Sequence, residues 1–312
     1  MPSILLIGAG AVGAFFGSAL ARAGAEVSVV CRSDFAAVAR DGFEIRSPLL
    51  GEHRFVPRRV FASAAEAGRG FDYVLLATKV LADLDRAALI APAVGDQTTI
   101  FLIQNGIDIE AELAAAFPHN PIVSGIAFIA VSRTGAGKIH HQSEGSLVIG
   151  NYPSGTSAAT EQLAALFAAS SIPCKVTQDV VTARWQKALW NAAFNPLSIM
   201  GGVLDTATIL GRAEGEALVR ETMAEIVSVA CAAGHPLDEA LIDKLIAVTR
   251  KMPPYKTSMA LDYEQGRPLE IEAILGNIVR TARRCNVRAP RLETLYAIAK
   301  MVEGARRPAA SK

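Results

Sequence analysis

Ile4, Leu5, Leu6 and Ile7 run without a break into Gly8, Ala9, Gly10, Ala11, Val12 and Gly13, and few patterns leave a chain less choice of fold. Gly8 permits the tight turn off a strand, Gly10 lets backbone amides close on a pyrophosphate, and Gly13 lets the next helix lie against the sheet. The pyrophosphate then sits at a helix N-terminus, where unpaired N–H groups and the helix dipole favour negative charge. A small-residue helix over residues 14–23 and a second strand over 26–31 complete the order that the motif requires. The alternative is a turn whose glycines serve structure alone. After the second strand stands Arg32, where an acid would normally accept a hydrogen bond from a free ribose 2′-OH. A guanidinium there pairs instead with a 2′-phosphate, which points to NADPH rather than NADH.

Further along, strand-like runs at residues 73–77 and 99–103 alternate with helical segments at 36–41 and 81–91, the rhythm of a parallel sheet covered on both faces. Residues 43–61 break that rhythm with short polar strands around Gly51 and Glu52 and read as a hairpin insertion. Runs at 122–128, 138–139 and 146–149 close the sheet. From Asp179 onward the periodicity is helical, punctuated by Gly201-Gly202, Pro253-Pro254 and Gly266-Arg267-Pro268. The expected architecture is α/β, an N-terminal Rossmann-type doubly wound sheet over residues 1–178 followed by an all-helical C-terminal domain over 179–312. The polar, basic stretch 305–312 reads as a frayed tail.

At 312 residues with 51% hydrophobic and 20% charged content, the chain has room for two cored domains. A net charge of +1 provides no footprint for nucleic acid or an acidic membrane. Cys31, Cys174, Cys231 and Cys285 form no CxxC, so a reducing compartment is expected. The N-terminus enters a strand at once, without a basic n-region or a membrane-length apolar run, and a cytoplasmic location follows as an expectation. His53, His119, His140, His141 and His235 show no metal-ligand spacing, so no metal is expected. His140 and His141 face opposite ways on a strand and are assigned to structure and surface. A helical half rich in Ala, Ile and Leu is of the kind that pairs, which leaves a homodimer open.

The chemistry concentrates in the helical half. Lys187, Asn191 and Asn195 recur at intervals of four and stack on one helix face. A solvated stripe would account for the spacing, but such stripes are filled with Glu, Lys, Arg and Gln. This one carries a single charge and two short amides beside Trp190 and Phe194, which suits a half-buried cleft. Ser258 stands at a helix start and Glu270 opens another helix; on the residues alone an N-cap and a first-turn acid are the preferred readings, and Glu272 could serve the dipole equally well.

The glycine run, Lys79 after a strand, Gln104-Asn105-Gly106, Trp185-x-Lys187-x3-Asn191-x3-Asn195-Pro196, and Ser258-Met259-x3-Tyr263-x6-Glu270-Ile271 together resemble the ketopantoate reductase family, also called 2-dehydropantoate 2-reductase. The resemblance covers nearly the whole chain in order, and its Lys-Asn-Asn-Pro run is more specific than its glycines. It implies reduction of a small 2-oxo acid, ketopantoate, to pantoate with NADPH, a step of pantothenate biosynthesis. By the same resemblance Lys187 is the proton donor, and Glu270 contacts the cofactor and helps hold the lysine. Asn105 lies between nicotinamide and substrate; Asn191, Asn195 and Ser258 grip the substrate; Arg32 and Lys79 attend the adenosine end. Asp205 departs from the pattern, standing where members can carry another substrate-contacting Asn. A paralogue acting on a different 2-oxo acid, and a non-catalytic NADPH-binding sensor, are the alternatives.

Hydride attack on a ketone builds charge on the carbonyl oxygen, so a nearby ammonium binds the transition state better than the ground state. Arg32→Ala is expected to weaken NADPH binding far more than NADH binding; equal losses would mean that the 2′-phosphate is read elsewhere.

Overall fold

The computed structural model describes residues 1–306. By compactness the chain divides into two units. The first comprises Met1–Lys79, Asp83–Gln104 and Ile109–Val180; the second takes Val181 onward together with Val80–Ala82 and Asn105–Asp108.

The first unit is built on one ten-stranded sheet. In chain order its strands are β1 (Ser3–Ile7), β2 (Glu26–Val30), β3 (Phe43–Arg46), β4 (His53–Phe55), β5 (Val60–Phe61), β6 (Tyr73–Leu76), β7 (Thr99–Ile103), β8 (Ile122–Gly135), β9 (Lys138–Asn151) and β10 (Cys174–Val176). Across the sheet the order is β4-β3-β9-β8-β7-β6-β1-β2-β5, with β10 added to β9. The stretch from β5 to β8 is parallel throughout. Strands covered on both faces need apolar residues in every position, which is why β1, β6 and β7 read as continuous hydrophobic runs. Ile4, Leu6, Leu75, Phe101 and Ile103 pack into one buried cluster. Their neighbours Leu5, Ile7, Val74, Leu76, Ile100 and Leu102 pack into another, as side chains alternating across a sheet must.

Sheet order reverses at β1, with β2 on one side and β6 on the other, and this is where open α/β sheets bind ligands, beyond the strand C-termini. Gly8 occupies that point with φ +97°, and a Cβ there would lie 2.4 Å from the Thr78 amide nitrogen. A Cβ on Gly13 would lie 2.3 Å from the Gly8 carbonyl oxygen, so the helix Ala11–Arg22 reaches the sheet only because that atom is missing.

Several local expectations are corrected. Residues 43–61 are not one insertion: β3 and β4 form a hairpin laid on β9, whereas β5 is the outermost parallel strand beside β2. The runs at 122–128, 138–139 and 146–149 belong to two 14-residue strands, β8 and β9, paired antiparallel with three register shifts that the alternation pattern does not survive. The helix expected over 81–91 spans only Arg86–Ile90, because Asp85 caps it by accepting from the Ala88 amide at 2.8 Å, and it tightens into a 3-10 turn, Ala91–Ala93, at Pro92. Of the expected tail, Ala305 and Arg306 end the helix Pro290–Arg306, and 307–312 lie outside the described residues.

The second unit is helical. Its long helix, Val180–Met200, buries Trp185, Leu189, Ala192 and Phe194 in one apolar cluster with Met223 and Ile226 of the helix Ala213–Ala232 and with Ile274, Leu275 and Ile278 at and before the helix Asn277–Arg284. No helix among the described residues is long and apolar enough to cross a membrane. Ser258 is not the cap of its helix: Thr257 is, accepting from the Ala260 amide at 3.1 Å, and Ser258 is the exposed first residue.

The glycines give a test of stability. Gly8→Ala combines a left-handed φ with a clash against backbone and is expected to cost about 1–3 kcal/mol, read as a lower urea midpoint at unchanged m. Gly10→Ala, where a Cβ would meet nothing within 4 Å, should change the midpoint by less than about 1 kcal/mol equivalent.

Candidate functional site

Lys187, at the middle of the helix Val180–Met200, is half-buried, and its Nζ donates to Asn105 Oδ1 at 2.7 Å. Asn105, Gly106, Ile107, Arg184, Lys187, Ala188, Asn191 and Ile274 line one small concave pocket of the second unit. Arg184, Lys187 or Ala188, and Asn191 lie one helical turn apart, so a single helix face supplies half of the wall. Burial pushes the Lys187 ammonium down, the like charge of Arg184 adds to this, the Glu270 carboxylate pulls it up, and the balance lies at about 7. A lysine that is protonated below neutrality and neutral above it can give or take a proton under ordinary conditions.

Glu270 is buried just before the helical turn Glu272–Gly276, and its carbonyl accepts from the Ile274 amide at 3.0 Å. Its Oε1 accepts from the Val80 amide at 3.0 Å. The dipole reading of Glu270 therefore accounts for its backbone but not for where its side chain goes.

The segment that carries Asn105 is held closely. The Ile107 amide donates to the Ala273 carbonyl at 3.0 Å, Asn277 Nδ2 donates to the Ile107 carbonyl at 2.6 Å, and an Arg184 guanidinium nitrogen donates to the Gly106 carbonyl at 3.2 Å. Gly106 has φ +115°, and a Cβ on it would stand 2.6 Å from the Ala273 Cβ, so no other residue could approach so closely. Ala273 belongs to a π-helical turn, a feature that recurs at functional sites.

Of the remaining candidates, Asn191 is half-buried on the pocket wall, and Asn195 is buried, one turn further on. Asn195 Oδ1 accepts from the Met259 amide at 3.4 Å, next to Ser258, and its Nδ2 is buried with no hydrogen-bond partner among the described residues. Asp205 has another occupation. It caps the helix Thr206–Leu210, and the Thr208 amide, at 2.7 Å, holds its carboxyl below the usual range.

In the first unit, Gly8 to Gly13 form the turn after β1, and the helix Ala11–Arg22 starts on Gly10 with no side-chain cap. Its leading amides precede the first intrahelical bond, Ala14 N to Gly10 O, and the space beside Gly10 is open. This is a cradle that a dinucleotide's pyrophosphate fits. Arg32 is exposed after β2, and Lys79 is half-buried after β6.

Sequence reasoning missed Arg184, Ile107, Ile274 and Val80. Arg184 was within reach, since it stands three residues before Lys187 on the same face. The other three contribute through backbone position or packing, for which one sequence carries no signal.

Comparison with known proteins gives a consistent result. The family model for Ketopantoate reductase PanE/ApbA matches residues 4–154, and that for its C-terminal part matches 179–303. A 2-dehydropantoate 2-reductase of Nostoc sp. is 30% identical over 309 residues, covering 97% of this chain and 95% of its own length. Among solved structures, the 2-dehydropantoate 2-reductase from Methylococcus capsulatus is 51% identical with a TM-score of 0.93, covering 98% of both chains. The one from Geobacter metallireducens GS-15 is 32% identical with a TM-score of 0.90, covering 96% of this chain and 99% of its own.

Glu270→Gln removes the charge that supports the ammonium and should move the Lys187 midpoint below its present value of about 7. NMR of reductively methylated lysines would follow it; an unmoved or raised midpoint would contradict the assigned electrostatics.

Proposed function

The chain belongs to the ketopantoate reductase family and is an oxidoreductase, and from that premise we propose that it reduces the 2-oxo group of ketopantoate to the hydroxyl of pantoate with NADPH. The observation that carries this reading is the Lys187 ammonium, poised near neutrality at 2.7 Å from Asn105 in a pocket shared with Asn191. When bound, the dinucleotide supplies the hydride. The glycine turn after β1 binds its pyrophosphate, and Arg32 and Lys79 take its adenosine end.

Lys187 gives its proton to the carbonyl oxygen as charge develops there, and its own positive charge stabilises that oxygen beforehand. Glu270 keeps the ammonium charged in a setting where burial alone would neutralise it. Asn105 aims the ammonium by accepting a hydrogen bond from one of its three N–H groups. Asn191, Asn195 and Ser258 hold the substrate's oxygens, and Asn195 Nδ2, without a partner among the described residues, is a donor for that purpose. A 2-oxo acid brings a second anion to the lysine and raises its pKa, so binding prepares the donor. Asp205 stays an anion while it caps the helix Thr206–Leu210, so its side chain has a structural occupation there rather than a substrate contact.

An NADPH-oxidation assay over a panel of 2-oxo acids that includes ketopantoate tests the reading. Turnover of another acid without ketopantoate would assign the chain to a paralogous activity, and NADPH binding without any turnover would make it a sensor. Lys187→Ala should lower kcat by at least about 10²-fold with NADPH affinity nearly intact. Because the donor must be protonated, kcat/KM should fall as pH rises through about 7, and kcat should fall at a higher pH, where the substrate's carboxylate supports the charge.

A further inference from the structure

Two residues after Arg32 the chain places an acid, which by the usual logic of this loop should favour the opposite cofactor. Asp34 is only 7% exposed and stands two residues beyond Arg32. Carboxylates at the end of the second strand accept from a free ribose 2′-OH and repel a 2′-phosphate. Here the carboxylate is engaged elsewhere. One oxygen accepts from the Ser33 hydroxyl at 2.9 Å and from the Arg133 guanidinium at 2.7 Å; the other accepts from the Gly137 amide at 3.0 Å. The same Arg133 nitrogen donates to the Ser33 hydroxyl at 3.1 Å. Burial alone would raise the Asp34 carboxyl, but the Gly137 amide, the Ser33 hydroxyl and Arg133 together hold it below the ordinary carboxylate range.

Arg133 and Gly137 reach the end of β2 from about a hundred residues downstream, at the tip of the β8–β9 ribbon. Arg133 is 40% exposed, so its charge is felt in the solvent around the loop as well as by Asp34. With it, Arg32, Asp34 and Arg133 sum to one positive charge; without it, they sum to zero.

We propose that Arg133 is a specificity-determining residue for the cofactor: by neutralising and turning away Asp34, it leaves the end of β2 to Arg32 and tilts the site toward a 2′-phosphorylated adenosine. The inference rests on the dinucleotide reading given under Proposed function. A purely structural tie between loop and ribbon would support both kinds of adenosine alike. The neutralising role acts on the phosphate alone.

Binding of 2′,5′-ADP and of 5′-AMP to the intact protein, measured by calorimetry, distinguishes the two roles without turnover. Arg133→Gln should raise the Kd for 2′,5′-ADP by at least about tenfold and that for 5′-AMP by less than about twofold. Arg133→Lys, which keeps the charge, should retain most of the preference. Asp34→Asn, which removes the acid, should bind 2′,5′-ADP at least as tightly as the natural chain. Equal weakening of both probes by Arg133→Gln, or selective loss of 2′,5′-ADP in Asp34→Asn, overturns the proposal. Absence of any preference for 2′,5′-ADP in the natural chain overturns the NADPH reading first and this inference with it, and is distinguishable because no variant is needed to see it.

Discussion

A lysine ammonium taken partly out of water is the constraint around which the second unit is arranged. Burial and the neighbouring Arg184 both act to discharge Lys187, the Glu270 carboxylate opposes them, and the Asn105 oxygen accepts from the ammonium. The result near neutrality is a balance of opposing effects, so it depends on where each partner stands. That explains the density of restraint on the Asn105–Asp108 segment, where one side-chain amide, one guanidinium, one π-turn carbonyl and one glycine with positive φ fix a few backbone atoms. A donor that must lie within a fraction of an ångström of its target is useful only on such support.

The first unit addresses a different physical problem, the capture of a polyanion by neutral backbone. Gly8 and Gly13 let the turn and the following helix lie against the sheet where its strand order reverses, and the space beside Gly10 is open. At the end of β2 an acid and two guanidiniums lie within a few residues or hydrogen bonds of one another, and the proposed selectivity rests on their net charge. The long β8–β9 ribbon is thus more than an edge to the sheet, since its tip delivers Arg133 and the Gly137 amide to that loop.

A doubly wound sheet with a glycine turn hosts many chemistries, and taken alone would say little about the reaction. The reading becomes specific through the helix Val180–Met200, whose face carries half-buried Lys187 and Asn191 and buried Asn195 where apolar residues would pack better. Asn195 shows the cost most directly: a buried amide nitrogen lacks a partner among the described residues, which is unfavourable in a finished core and reasonable in a site awaiting a ligand oxygen.

Local rules made much of this legible. The apolar strands, the glycine turn, the helical character after Asp179 and the shared face of Lys187, Asn191 and Asn195 follow from side-chain period and backbone sterics within a few residues, and so a single sequence carries them. The extent of β8 and β9, the membership of β5 in the parallel sheet, and the cap at Thr257 rather than Ser258 depended on pairing and geometry that no local window contains. The sequence likewise marked Lys187, Asn105 and Glu270 as candidates, but it could not say that the first would donate to the second beside the third, nor that Asp34 would be engaged by Arg133. Those are contacts between residues roughly eighty to a hundred positions apart, and charge and desolvation act through distance in space, which only the folded chain defines.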